Sequence, residues 1–227
     1  MIGRIENAGI ITVMDTVIAP SFLSGFEDES ISRSYHERII GISRLAMLIE
    51  CEGHITIGMM PPTKTRNRPA LYATVGITNT AEGIINEAME TLIDSRVDFT
   101  ARPLRDGKSA GRKLRRDIDI HGFDRIDAVL NLVLPFLNSK KAQAEIVLSF
   151  VASRRKAEPK SAYSDQEWKW ATEVRKLNGR QPERKALSKA RAYLESSDGS
   201  RNPRTIEYFK RYVAMCEELQ NCLKGKG

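Results

Sequence analysis

Two carboxylates offer the first chemistry in this sequence. Glu50 and Glu52 close an apolar stretch, and Gly53 follows at once. Carboxylates serve as hard oxygen ligands for a divalent cation or as general bases. Before them Ile42, Leu45, Ala46, Leu48 and Ile49 recur at helical spacing, and a glycine at 53 suits the left-handed turn that ends many helices. A buried helix therefore delivers both acids at its C-terminal end. Two positions apart on a helix of about 3.6 residues per turn is roughly 200° of rotation, so the pair cannot readily share one metal. One of the two must be the working group, and we assign that role to Glu52.

The elements that must hold it follow in order. The spacing predicts strands over 54–60 and 70–78, with Ile55, Ile57 and Met59 on one face beside Ala73, Val75 and Ile77. The opposite face carries His54, Thr56, Gly58 and Met60 with Tyr72, Thr74, Gly76 and Thr78. Between the strands runs a basic loop, 61–69, bounded by prolines. A helix over 81–95 repeats Ile84, Ile85, Ala88, Met89, Leu92 and Ile93. Two more strands are expected at 97–104 and 112–121 across a Gly-Lys-Ser-Ala-Gly turn, then helices at 123–136 and 139–156. Leu114, Ile118 and Ile120 set the core face of the last strand, leaving Lys113, Arg115, Asp117 and Asp119 on the other, joined by Asp98, Thr100 and Arg102.

Leu45-Ala46-Met47-Leu48-Ile49-Glu50-Cys51-Glu52-Gly53, followed by the strand from His54, resembles the LAGLIDADG signature of homing endonucleases. The order helix, strand, strand, helix, strand, strand, helix, helix is that family's core, and the resemblance spans about 38–156. It implies an α+β fold, an αββαββα core with an antiparallel sheet as a DNA-binding saddle, extended here by C-terminal helices. It further implies that Glu52, with the Cys51 backbone carbonyl, coordinates the metal for phosphodiester hydrolysis. Lys140, in the segment Pro135 to Leu148, is similar in place to the family's active-site lysine, which can stabilise charge on the phosphate or position the attacking water. Asn79 stands at the strand end where the family carries a solvent-ordering polar residue. The third and seventh signature positions, usually small because two such helices pack closely, are Met47 and Cys51; the methionine departs from the pattern and should alter the helix crossing.

Composition agrees with an acidic polymer as partner. Lysine and arginine number 36 against 29 acidic residues, a net charge of +7. The basic residues gather in the loop 61–69 and the segment 102–116, both bordering the expected sheet. A sheet with one apolar and one polar, basic face suits a major groove. The DNA-contacting candidates are His54, Thr56, Lys64, Arg66, Arg68, Tyr72, Thr74, Arg102, Arg105, Lys113 and Arg115.

Only one copy of the signature is present. A strand rises about 3.3 Å per residue and a duplex about 3.4 Å per base pair, so one sheet covers half a site. A homodimer built on the signature helix, through Leu45, Met47, Leu48 and Cys51, would pair two Glu52 carboxylates over a long, near-palindromic target. Magnesium, with manganese as substitute, suits hard carboxylate and phosphate oxygens. The family further implies staggered ends and intron or intein mobility. The alternative is a relative that binds nucleic acid without cutting, as an intron maturase or a transcription regulator, and Met47 is what encourages it. A third reading, an unrelated α/β domain, is opposed by the ordered match over 38–156.

The flanks carry less. We divide the chain into an N-terminal arm, 1–36, with a polar linker at Glu27 to Ser34, an endonuclease core, 37–157, and a helical extension, 158–227, in which Trp168 and Trp170 read as core anchors. Three cysteines and three scattered histidines fit neither a disulfide framework nor a zinc site. With no apolar run of about 20 residues and no signal core, the expectation is an intracellular protein, cytoplasmic or organellar, neither secreted nor in a membrane.

Overall fold

The computed structural model describes residues 29–60, 70–105, 115–158, 161–179, 184–196 and 203–224. Helix α1, Glu29–Glu52, runs straight into strand β1, Gly53–Met60. Next come β2, Ala70–Asn79, and α2, Glu82–Asp94. Strands β3, Thr100–Arg105, and β4, Arg115–His121, lead to α3, Phe123–Val133, and α4, Lys141–Lys156, separated by a 3-10 turn, Leu134–Phe136. Three helices end the chain: α5, Asp165–Leu177, α6, Arg184–Glu195, and α7, Pro203–Lys224. The fold is α+β, with the αββαββα order expected from the sequence.

The strands form one antiparallel sheet in the order β1-β2-β4-β3. Its core face is Ile55, Ile57, Leu71, Ala73, Val75, Ile77, Ile118 and Ile120, each under 5 % exposed. Every helix of the core buries a stripe at the spacing of about 3.6 residues that an amphipathic helix requires. On α1 the stripe is Ile42, Leu45, Ala46 and Ile49; on α2, Ile85, Ala88 and Leu92; on α3, Ile126, Val129, Leu130 and Val133; on α4, Ala144, Val147, Phe150 and Val151. Helix α5 joins the same core through Trp168, Ala171 and Val174, so Trp168 is an anchor as expected. It also covers the open edge of β1, where Asn178 Nδ2 donates to the Ile55 carbonyl at 2.9 Å. Helices α6 and α7 pair around Leu187, Ala190, Tyr212, Met215, Cys216 and Leu219, and α7 reaches α5 by the Trp168–Tyr208 ring contact.

Three sequence expectations change. The stretch from Glu29 to Ser34, read as linker, is the first turn and a half of α1. Its serines supply no apolar period, but a helix already anchored by a buried stripe extends at one added hydrogen bond per residue. Asp98 lies before β3 and pairs with Arg125 at 3.3 Å instead of facing outward from the strand. Val97 is buried where the chain leaves α2, which delays the strand to Thr100. The helix expected over 123–136 ends at Val133, with Pro135 in the following 3-10 turn. Pro103 is tolerated in β3 because that strand is an edge, beside a register shift between Arg102 and Arg105.

Candidate functional site

The two acids at the end of α1 have different surroundings. Glu50 points at the turn before α4, where its Oε1 accepts from the Asn138 N–H at 2.8 Å and the Lys140 N–H at 2.9 Å. Its Oε2 accepts from the Ser139 N–H at 3.1 Å and from the Ser139 hydroxyl. Those N–H groups lead into a helix whose own N-cap side chain makes no capping bond, so a carboxylate from α1 supplies the cap. Partial burial pushes the Glu50 carboxyl up, but the Ser139 hydroxyl and the N–H groups of Lys140, Asn138 and Ser139 outweigh it and hold the group below the usual carboxylate range.

Glu52 is exposed, and no hydrogen bond or ion pair engages its carboxylate among the described residues. Beside it lies Lys140, whose Nζ donates to the carbonyls of Ile49 and Gly53, both at 2.7 Å. Burial draws this ammonium below the ordinary lysine range, opposed by the nearby carboxylates of Glu50 and Glu52. An ammonium has three N–H donors; two bind carbonyls on either side of the α1–β1 junction, and the third is left for another acceptor. Sequence reasoning paired Lys140 with Glu52 through the family resemblance and missed Glu50, which positions Lys140. Its partners lie 88 to 90 residues away, beyond the reach of local pattern.

Asn79 ends β2 at the same end of the sheet, since Gly53 pairs with Ile77. Its Oδ1 accepts from the Ala81 N–H at 2.8 Å, turning the chain into α2. No group of three or more His, Cys, Asp or Glu side chains that could hold a metal occurs among the described residues.

The outer face of the sheet carries His54, Tyr72, Arg102, Arg115, Asp117, Asp119 and His121. His54 lies opposite Gly76 and Tyr72 opposite Gly58, and in each case the ring occupies the space a Cβ on the glycine would fill. Thr56 and Thr74, opposite each other between these rings, are 6 % and 5 % exposed, so little of either side chain reaches the surface of this face. The flanking His54 and Tyr72 rings lie over the glycines on either side of these short side chains. Arg102 Nε approaches Asp119 Oδ2 at 2.6 Å and Arg115 Nε approaches Asp117 Oδ1 at 3.7 Å. Lys64, Arg66, Arg68 and Lys113 fall outside the described residues, and Arg105 is described only as backbone of β3.

The signature helix also sorts its apolar residues. Leu45 is 2 % exposed, in the protomer's own core. Leu48 is partly buried against that core. Met47 is 67 % and Ile40 48 % exposed, and with Arg44 and Cys51 they form an outward stripe along α1. No helix of the described residues is long and apolar enough to cross a membrane.

No family model and no curated protein matches the chain. Among solved structures, the homing endonuclease I-CvuI, in complex with a DNA target in the presence of Mg, aligns over 81 % of this chain and 97 % of its own, with 14 % identity and a TM-score of 0.46. The archaeal intron-encoded homing endonuclease I-Vdi141I, complexed with DNA, aligns over 80 % and 98 %, with 13 % identity and a TM-score of 0.44. The group I intron-encoded homing endonuclease I-CeuI, also complexed with DNA, aligns over 78 % and 76 %, with 8 % identity and a TM-score of 0.43. None of the three reaches a TM-score of 0.5, so the functional reading rests on this chain's own residues.

Proposed function

We propose that this protein is a site-specific double-strand DNA endonuclease of the LAGLIDADG type, hydrolysing phosphodiester bonds as a homodimer at a long, near-palindromic target and leaving staggered ends. The observation that carries the reading is the end of α1, where an exposed, unengaged Glu52 carboxylate stands beside a Lys140 ammonium with a donor to spare. The residues fit magnesium: Glu52 offers a hard oxygen, and the helix C-terminus favours a cation. Glu52 and the Cys51 carbonyl would hold the ion, which when bound activates water and stabilises the leaving oxygen. Lys140 adds positive charge beside the scissile phosphate. Glu50 fixes the turn that carries it, and Asn79 borders the same end of the sheet. His54, Tyr72, Arg102 and Arg115 would face the groove, and Lys64, Arg66, Arg68, Arg105 and Lys113 are further DNA-contacting candidates from the sequence.

The stripe of Ile40, Met47 and Cys51 supports the homodimer seam, which would bring one Glu52 to each strand of the duplex. A non-cleaving nucleic-acid binder is the second reading; the long Met47 side chain on that stripe favours it, because it would hold the paired helices, and with them the two acids, further apart. Incubation of a randomised duplex library with protein and magnesium, beside Glu52→Gln, decides between them. Sequenced ends at one long near-palindrome, absent with the variant, are the expected result. Equal selective binding without cutting by both proteins would establish the second reading, and no selection by either would end both.

A further inference from the structure

Two carboxylates stand on the sheet face assigned to a polyanion, which bare electrostatics would forbid. Asp117 and Asp119 are 13 % and 15 % exposed at their side chains, while the arginines they meet, Arg115 and Arg102, are 54 % and 42 % exposed. The acids thus lie low in the face and the guanidinium heads stand above them. In each pair the nearest approach is through Nε, and the Asp119 oxygen it approaches is buried without a hydrogen-bond partner. Asp117 is itself fixed, because Thr78 Oγ1 on the neighbouring strand donates to its Oδ1 at 2.8 Å. The register sets Asp117 between Thr78 and Arg102, and Asp119 between Gly76 and Thr100, so both acids occupy the middle of the polar ladder rather than its rim.

An exposed guanidinium approached at Nε by a low-lying carboxylate can turn its two terminal amino groups outward as the donor pair that meets the O6 and N7 acceptors of guanine in the major groove. Neutralising its charge from beneath weakens what it could gain from any phosphate, a contact that carries no sequence information. We propose that Asp119 and Asp117 are specificity-determining positioning residues, which aim Arg102 and Arg115 at guanine edges and suppress sequence-independent binding. The proposal rests on the DNA-binding reading above. The tighter Arg102–Asp119 contact makes that pair the stronger reader.

The test is selection of bound duplexes from a randomised library, metal withheld by chelator, with affinity for bulk DNA measured against salt. The wild type is expected to prefer guanine by about 10-fold or more at the position under Arg102. Asp119→Asn should cut that preference to under about 3-fold at this position alone, hold or raise the affinity for bulk DNA, and steepen the salt dependence by about one phosphate contact. Asp117→Asn should do the same more weakly at a second position. Arg102→Lys keeps the charge and loses the fork; it should erase the same guanine preference without changing the salt slope, and it reports on the idea even where an Asp variant folds poorly. Unchanged base preferences in Asp119→Asn or Arg102→Lys would overturn the proposal, as would an even loss at all positions, which marks an ordinary cross-strand ion pair. A wild type that selects no duplex removes the DNA-binding reading, and this proposal with it.

Discussion

The end of α1 and the outer face of the sheet solve opposite problems. At the helix end, polar groups are tied into backbone: Glu50 accepts from three consecutive N–H groups and Lys140 donates to two carbonyls. On the sheet, the charged groups meet side chains: the arginines approach Asp119 at 2.6 Å and Asp117 at 3.7 Å, and Asp117 also accepts from the Thr78 hydroxyl. Backbone cannot be substituted away, so the first arrangement fixes position to within a bond length. Side-chain pairs can be exchanged singly without disturbing the ladder. On the proposed reading, the first kind of site would serve the phosphate chemistry and the second the recognition of bases.

The comparison breaks hardest at Glu52. It makes no hydrogen bond or ion pair among the described residues and touches Lys140 only through its charge, so Glu52→Gln should leave stability within about 0.5 kcal/mol, while magnesium-dependent cleavage falls below about one-thousandth of wild type. Retained cleavage, scored on the selected site, would remove Glu52 from the mechanism. Lys140→Met comes next. Losing one positioned cation beside the phosphate should slow cleavage by about 100-fold. Two carbonyls at the helix end would also lose their donor, costing about 1–2 kcal/mol, readable as a lower urea midpoint; a variant as stable as wild type would show that those carbonyls are solvated in its absence.

Glu50→Gln sharpens the contrast, because this acid acts on the reaction only through the turn it holds. An amide can accept at one oxygen only, so about 1–2 kcal/mol of stability should go, the electrostatic part kept small by solvent around a half-buried carboxylate. The folded protein holds Glu50 below its ordinary range. Its contribution is therefore complete above the unfolded carboxyl value, about 4.3, and vanishes as pH falls through the lower folded value. Urea titrations of both proteins should show a gap that is full at neutral pH and closes on acidification below the unfolded value. A gap that persisted unchanged in acid would mean that hydrogen-bond geometry, not charge, carries the effect.

How far the sequence could be read follows from the same division. Alternation of Ile55, Ile57, Val75, Ile77, Ile118 and Ile120 exposed the core face, because a strand's period of two is local. The helical stripe from Ile42 to Ile49 was legible for the same reason. Glu52 and Lys140 came into view through the signature and its ordered segments. Glu50 did not, because its bonds depend on a turn that folding brings from the far side of the domain. Alternation placed Thr56 and Thr74 on the face opposite the core, but a two-residue period reports which side a residue faces and not how deep it lies. Leu45 was placed at a seam because the family motif does not say which flank of the helix its own sheet consumes.

The smallest effect should come from the glycines under the two rings. Gly76 and Gly58 lie opposite His54 and Tyr72, and a Cβ at either would meet ring atoms. An aromatic ring laid over a cross-strand glycine recovers packing the glycine lacks. In Gly76→Ala the His54 ring must swing outward, a modest cost because it is the end of a rotatable side chain. Against this, alanine removes unfolded-state freedom worth about 0.4–1 kcal/mol. The two should nearly cancel and leave the melting temperature within about 3 °C of wild type. No charge changes, so affinity for bulk DNA should hold, while base preference shifts at the pairs beneath the displaced ring. Gly58→Ala should shift a different set, those under Tyr72. If both variants melted far lower, the rings would be packing elements of the sheet. If both kept every base preference, the outer face would not be the surface that reads the duplex, and the contrast between a fixed catalytic end and an adjustable reading face would fail at its second half.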